Sequence, residues 1–192
     1  LLESLGQVLA EDVHCQVNIP PADNSAMDGY AVRAQETFGA SESIPAYLEI
    51  VGHVPMGAAP TFELGSGQAA RINTGGMIPA GADAVVMEEY TTTPDEGTVE
   101  IYRPGEVGAN VLGVGDDLKV GERILPAGSR LRSQDIGAFS AVGTTVLKVH
   151  RRPRVAILPT GDELVDPEQK PGPGQVRDIN RFSLAAAVIE SG

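Results

Sequence analysis

Glycine and proline interrupt this chain so often that no long periodic segment can form. Its 192 residues include 23 Gly and 14 Pro. Glycine is costly inside helices and strands, and proline breaks them, so the sequence points to many turns and short strands. Hydrophobic residues make up 42% but aromatics only 4%, with no Trp, so Val, Leu, Ile and Ala must supply the cores. The length exceeds the roughly 100–150 residues usual for one domain, and several small units are expected. A single cysteine, Cys15, excludes an internal disulfide and suits a reducing compartment. No apolar run approaches the ~20 residues of a membrane helix and no signal-peptide pattern is visible, which reads as a soluble, cytoplasmic chain. The first residue is Leu1 rather than Met, so processing or trimming could have removed such a signal. A net charge of −12 argues against nucleic acid as a partner, because phosphate backbones are bound through clustered Lys and Arg. Any anionic ligand must be held by local arginines or a metal.

Leu1, Leu2, Leu5, Val8 and Leu9 recur at helical spacing and predict a short amphipathic helix. Val13, Cys15, Val17 and Ile19 then alternate with His14, Gln16 and Asn18, predicting a half-buried strand that Pro20 and Pro21 stop. Cys15 falls on its core side and His14 outside. His53 and His150 are equally isolated, and no zinc-type spacing is present. Between residues 46 and 102 the runs "AYLEIV", "AARI", "ADAVVM" and "TVEIY" predict a compact all-β unit, a small barrel or sandwich. Residues 103 to 130 are Gly-rich, with "GVGDD" inside and strand-like "ERIL" after it. "SQDIGAFSAVG" predicts a short helix with Ser133 as N-cap and Gly143 as its stop, and "TTVLKVH" a strand. Val155 to Leu158 predict a buried parallel strand running into a polar loop, and "RDINRFSLAAAVIESG" a helix capped by Asp178 or Asn180. One strand and one helix cannot close a doubly wound sheet, so this α/β unit is expected to be truncated.

Polar groups crowd into "PPADNSAMDGYAV", residues 20 to 32, where Asp23, Asn24, Ser25 and Gly29 suit a turn. Asp28-Gly29 reads as a hairpin turn. Thr74-Gly75-Gly76 reads as a tight strand connection, and Asp116 and Asp117 as solvated loop charges. Thr160-Gly161-Asp162-Glu163 follows the predicted strand at its carboxyl end, where open α/β sheets place ligands. Asp178 and Asn180 are good N-caps, and a helix start also offers free N–H groups to an oxyanion.

Together and in this order, "DNSAMDGYAVR", "RINTGGMIPAGADAVVMEE", "GDDLKVGERILPAGSRLRSQDIGAFSAVG" and "VAILPTGDELV" with "GQVRDINRFSLAAAVIESG" resemble the MoeA/gephyrin E-domain family, the molybdopterin molybdenumtransferases. The resemblance spans nearly the whole chain. It implies a mixed fold: a discontinuous β-rich domain of residues 1–30 and 110–150, an inserted small β-barrel or sandwich domain of residues 31–109, and the start of a truncated α/β molybdopterin-binding-like domain at residues 151–192. The remainder of that domain and a C-terminal β-barrel are expected beyond Gly192.

The implied chemistry is a step of molybdenum cofactor biosynthesis, the insertion of molybdate as co-substrate into adenylylated molybdopterin with release of AMP, aided by Mg²⁺. The family resemblance implies a homodimer that lends β-rich segments of one subunit to the α/β domain of the other. It also implies contacts with the molybdopterin adenylyltransferase and molybdoenzyme chaperones, and none with nucleic acid or membrane. Matching the family's motifs makes Asp28, Asp117 and Glu163 candidate catalytic residues and Thr74, Asn180 and Arg181 candidate substrate contacts, while no metal ligand is assigned. Two departures stand out: "TGGM" replaces the usual "TGAP", and Leu112 and Asp116 stand where the family pattern Asn-x-Arg-x-x-Gly-Glu-Asp has Arg and Glu. Gephyrin uses the same fold to cluster receptors, so a non-catalytic scaffold is the alternative, and sequence does not separate molybdate from tungstate. The 192-residue chain by itself is expected to be inactive.

Overall fold

The computed structural model describes all 192 residues, Leu1–Gly192. In chain order the elements are β1 (Val13–His14), β2 (Asn24–Ser25), β3 (Gly29–Val32), β4 (Ala46–His53), β5 (Gln68–Ile72), β6 (Ala84–Met87), β7 (Thr91–Asp95), β8 (Thr98–Ile101), β9 (Val111–Leu112), β10 (Arg123–Leu125), α1 (Ser133–Ala141), β11 (Leu164–Val165), β12 (Val176–Arg177) and α2 (Asn180–Glu190), with three short 3₁₀ turns. The chain is β-rich with few helices, as the glycine and proline content predicts. It divides into two units, His14–Glu122 and the pair Leu1–Val13 with Arg123–Gly192.

The first unit is built on one six-stranded sheet in the order β6-β3-β5-β4-β8-β7. All neighbours are antiparallel except β4 and β5, which run parallel. Tyr30 of β3 and Thr93 of β7 are separated by three strands yet line one cleft, so the sheet is curled. Its two faces are both covered. Tyr30, Val32, Leu48, Ala69, Val86, Val99 and Ile101 pack together, and Ala31, Val54, Leu64, Ala70, Ile72 and Val85 form a second cluster. Every residue of β3 is buried, and a strand covered on both faces loses its polar alternation, which explains the unbroken "GYAV". Gly29 is there for space: a Cβ at this position would lie 2.0 Å from the Val86 carbonyl oxygen, so only glycine lets β3 lie this close to β6.

In the second unit Leu9, Leu131 and Phe139 form a small core flanked by Leu1, Val13, Ile124, Leu125, Leu147 and Val149. The expected helix over residues 1–9 is only a 3₁₀ turn, Leu2–Ser4. Gly6 takes a φ of 76°, which an α-helix excludes, and the chain continues extended, with Val8 bridging Arg130 and Leu9 bridging Val149. Two other predicted strands are also shorter than their patterns: only Val13–His14 of residues 13–19 is a strand, and residues 144–150 contribute the single bridge at Val149. Cys15 is buried and His14 exposed, as the alternation predicts.

Helix α1 starts at Ser133, with Arg132 as the N-cap residue. Capping comes from Asp135, whose carboxylate accepts the Arg132 backbone N–H at 2.8 Å and two guanidinium contacts at 3.0 Å. Hydrogen bonding to Arg132 holds this buried carboxyl below the usual range. Gly143 follows the helix with φ 73°, the expected stop. Val155–Leu158 are not a strand, and Val155 and Leu158 are exposed. A buried parallel strand needs hydrogen-bonded neighbours, and none of the twelve strands pairs with this run. The parallel pair that does form is β11 with β12. Helix α2 begins at Asn180 with Ile179 at the N-cap position, so neither expected residue is the cap; Asp178, one residue earlier, accepts the Arg181 N–H through Oδ1 at 3.0 Å and satisfies that helix donor. No helix is long and apolar enough to cross a membrane.

Removing the α1 cap by Asp135→Ala should cost about 1–2 kcal/mol, read as a lower urea midpoint. Gly29→Ala should cost on the order of 3 kcal/mol through overpacking against β6.

Candidate active site

The polar stretch after Pro21 is the hub on which two sequence-distant loops meet within the His14–Glu122 unit. On one side it binds the Thr74 turn: Ser25 and Gly76, Gly75 and Ser25, and Ile78 and Asp23 are joined by backbone hydrogen bonds of 2.8 Å. On the other it binds residues 110–118. Ala26 N–H donates to the Asn110 carbonyl at 2.9 Å, Gly115 N–H to Pro20 at 3.0 Å and Asp117 N–H to Ile19 at 2.9 Å. Strand β2 pairs with β9, setting Asn24 opposite Leu112.

Side chains complete the assembly. The Asp23 carboxylate accepts the Val114 N–H at 2.9 Å, so this residue ties down a loop 91 positions away rather than its own turn. Ser25 Oγ donates to the Met27 carbonyl and accepts the Met27 N–H, closing the bend before Asp28. Asn110 adopts φ 56°, a left-handed conformation that asparagine tolerates, and its Nδ2 donates to the Val85 carbonyl at 2.9 Å. Sequence reasoning gave Asn110 no role, and its place in the third motif was the available signal.

Asp28 and Thr74, which lie in two separate motifs, are in direct contact. Asp28 Oδ1 accepts the Thr74 backbone N–H at 2.7 Å and the Thr74 hydroxyl at 3.1 Å. The Asp28 carbonyl in turn accepts the Glu88 N–H at 3.0 Å. The Thr74 backbone bond, then its hydroxyl, hold the Asp28 carboxyl below the usual range, with a further contribution from Arg71 opposing the small cost of burial. Oδ2 has no protein partner, so an ionised oxygen on a fixed mount faces outward. The turn itself depends on glycine: Gly75 has φ 83°, and a Cβ on Gly76 would meet Ile72 Cγ1 at 2.8 Å. "TGGM" therefore makes the same tight connection that the sequence suggests.

The adjacent aspartates divide their work. Asp116 closes its own turn by accepting the Gly113 N–H at 2.7 Å, whereas the exposed Asp117 carboxylate has no partner in the chain. Leu112 is 42% exposed and supplies no charge. The cation nearest Asp28 in effect is Arg71, paired with Glu88 at 3.2 Å.

Glu163, Asn180 and Arg181 lie in the other unit. The Thr160–Glu163 turn precedes β11 rather than ending a strand. The Glu163 carbonyl accepts the Val176 N–H at 2.9 Å, and a Cβ on Gly161 would fall 2.6 Å from the Glu163 carboxylate, so glycine makes room for that side chain. Arg181 stands at the start of α2, 3.8 Å from Asp166 and over the Phe182 ring. No group of three or more His, Cys, Asp or Glu could by itself hold a metal.

Residues 1–143 match the family model described as "MoeA N-terminal region (domain I and II)". Among curated relatives, a molybdopterin molybdenumtransferase of Nostoc sp. is 42% identical over 187 residues, covering 97% of this chain and 43% of its own length. One from Bacillus subtilis is 37% identical, covering 100% and 45%. A solved molybdopterin biosynthesis MoeA protein from Pyrococcus horikoshii OT3 superposes with a TM-score of 0.92 at 37% identity, covering 98% of this chain and 50% of that one. The chain thus spans less than half the length of the curated relatives it matches.

A carboxyl held below its unfolded value of about 3.9 stabilises the fold fully above that pH, and the contribution disappears as pH falls through the folded value. The melting temperature of Asp28→Asn should therefore lie below wild type at pH 7, and the gap should close as the pH is lowered through 4 towards 2. A gap that persists in acid would contradict this linkage.

Proposed function

This chain belongs to the MoeA family, and on that premise we propose that it is the N-terminal part of an enzyme of molybdenum cofactor biosynthesis that inserts molybdate into adenylylated molybdopterin and releases AMP. The names of the relatives support the pathway. The observation that carries the reading is the ionised Asp28 mounted on Thr74 where three motif loops meet.

Cleaving a phosphoric anhydride develops negative charge that the site must offset. Mg²⁺ usually takes one or two carboxylates beside substrate phosphates, and the outward Asp28 Oδ2 and the unpartnered Asp117 suit that donor set. When bound, the ion would supply charge neutralisation and a template for two oxyanions. Asp28 and Asp117 hold their positions through backbone bonds to Glu88 and Ile19, so they need no reorganisation when substrate arrives. Thr74 fixes which Asp28 oxygen faces outward. Glu163 supplies a further carboxylate, and Asn180 and Arg181, at the start of α2, contact the substrate phosphates.

In this reading the domains are residues 1–30 with 110–150, residues 31–109, and residues 151–192 as the start of an α/β domain. The working protein is a cytoplasmic homodimer in which Asp28, Thr74 and Asp117 of one subunit serve a cleft with Glu163, Asn180 and Arg181 of its partner.

Incubating the full-length protein with adenylylated molybdopterin, molybdate and Mg²⁺ should release AMP, and EDTA should abolish that release until Mg²⁺ is restored. Turnover unchanged by rigorous chelation would remove the cation from the account. Asp28→Asn and Glu163→Gln should each slow turnover on the order of 100-fold when assayed well below the melting temperature of either variant, and mixing the two variants should restore part of the activity. No rescue, once mass spectrometry had shown subunit exchange, would exclude the shared cleft.

A further inference from the structure

The β3–β5–β4 registers place Tyr30 opposite Arg71 and Arg71 opposite His53. Residues paired across neighbouring strands stand on the same face, so these three form a transverse row. They line an open cleft of about 520 Å³ at the mouth of the curled sheet, with Thr93, Asp95 and Glu96 on the opposite wall. The row carries unspent donors. Tyr30 is only 4% exposed, and its hydroxyl has no hydrogen-bond partner in the chain. No sealed side-chain polar atom in the protein lacks a partner, so this hydroxyl opens into the cleft. Burial pushes it above the usual phenol range, with Arg71 opposing and Glu88 adding, so it remains a donor at neutral pH. Arg71 spends one nitrogen, Nη2, on Glu88 at 3.2 Å, leaving the rest of its guanidinium fork open. His53 Nε2 donates to Asn73 Oδ1 at 2.9 Å, which leaves Nδ1 as its open position and joins the row to the Thr74 turn.

We propose that Tyr30, Arg71 and His53 form a phosphate-ester subsite beside Asp28 and Thr74, with the ester oxygens on the Tyr30 hydroxyl and Arg71 and the organic part reaching Asp95 and Glu96. The charges select the ligand. A bare oxyanion would sit among Glu88, Asp95 and Glu96 with Arg71 as its one fixed cation. A monophosphate bearing hydroxyls offers donors to those same carboxylates; Asp95 Oδ1 is already taken by the Gly97 N–H at 2.9 Å, so Glu96 is the freer acceptor. A nucleoside monophosphate has this chemistry, and the mouth of a curled sheet with a few convergent polar groups is a common place for such a ligand. The identity of the nucleotide as the AMP of the reaction rests on the function proposed above; the subsite itself rests on the row.

The test is isothermal titration of the full-length protein with AMP, ribose 5-phosphate, inorganic phosphate and molybdate. AMP and ribose 5-phosphate should bind at least about tenfold more tightly than the bare anions, and Tyr30→Phe and Arg71→Gln should each weaken them about tenfold or more, as loss of a hydrogen bond to a charged group does. Tyr30→Phe keeps the buried ring, so an unchanged Kd in that variant overturns the subsite, as does phosphate or molybdate binding as tightly as the esters. AMP release without dependence on the row would leave the enzyme reading standing and remove this subsite. Row-dependent AMP binding without AMP release would do the reverse.

Discussion

One carboxylate oxygen, Asp28 Oδ1, decides where the candidate site is and which way it points. Two donors from Thr74 converge on it, and a charge-assisted bond to a backbone N–H is stronger than a neutral one. The consequence runs in both directions. Thr74 fixes the carboxylate in its charged form, and the carboxylate holds the glycine turn against the start of β3. Without it the turn would keep its backbone bonds to Ser25 and Asp23 and the His53–Asn73 bond, but nothing would hold Thr74 itself to the start of β3. The Glu88 N–H on the Asp28 carbonyl ties the same residue to the end of β6. A single exposed aspartate is thus fixed to both neighbours of β3, strands β5 and β6.

This arrangement bears on how a chain of charge −12 would hold the polyanionic substrate proposed for it. Its acidic residues at the hub are not a diffuse repulsive field. Asp23 and Asp116 are consumed by backbone N–H groups and Asp28 gives one oxygen to Thr74, so the exposed, unengaged acceptors are few and fixed. Arg71 is the matching cation. Its pair with Glu88 is solvent-exposed and contributes little to stability, which leaves its guanidinium free to change partners when a ligand arrives. The registers of β3, β5 and β4 then put Tyr30 and His53 in line with it.

Much of the hub was legible in sequence because its residues are local and chemically distinctive. Asp28, Thr74 and Asp117 each sit in a short motif of turn-forming residues, and the structure places all three on loops of one unit. Asp23 was read as a local turn former, because nothing in a sequence announces that its partner is Val114. The Asn110 conformation was equally hidden, since a positive φ at a residue other than glycine is decided by the contacts around it. Periodicity misled where apolar residues lay near a tertiary switch in direction: Leu1–Leu9 matched a helix until Gly6, and Val155–Leu158 matched a strand whose neighbours are not among the strands present. The α2 cap was left open between Asp178 and Asn180; the N-cap position is Ile179, and of the two only Asp178 reaches a helix N–H.

The account stands on the claim that the Asp28 carboxylate holds the Thr74 turn, and amide hydrogen exchange at Thr74 tests it most directly. In wild type at neutral pH the Thr74 amide should be protected. In Asp28→Ala, with the sheet amides of β3 and β5 unchanged, it should exchange at least about tenfold faster, as expected when a hydrogen bond to a charged acceptor is removed. Equal exchange at Thr74 in the two proteins would show that the turn is held by its backbone alone, and the carboxylate would lose its place at the centre of the site.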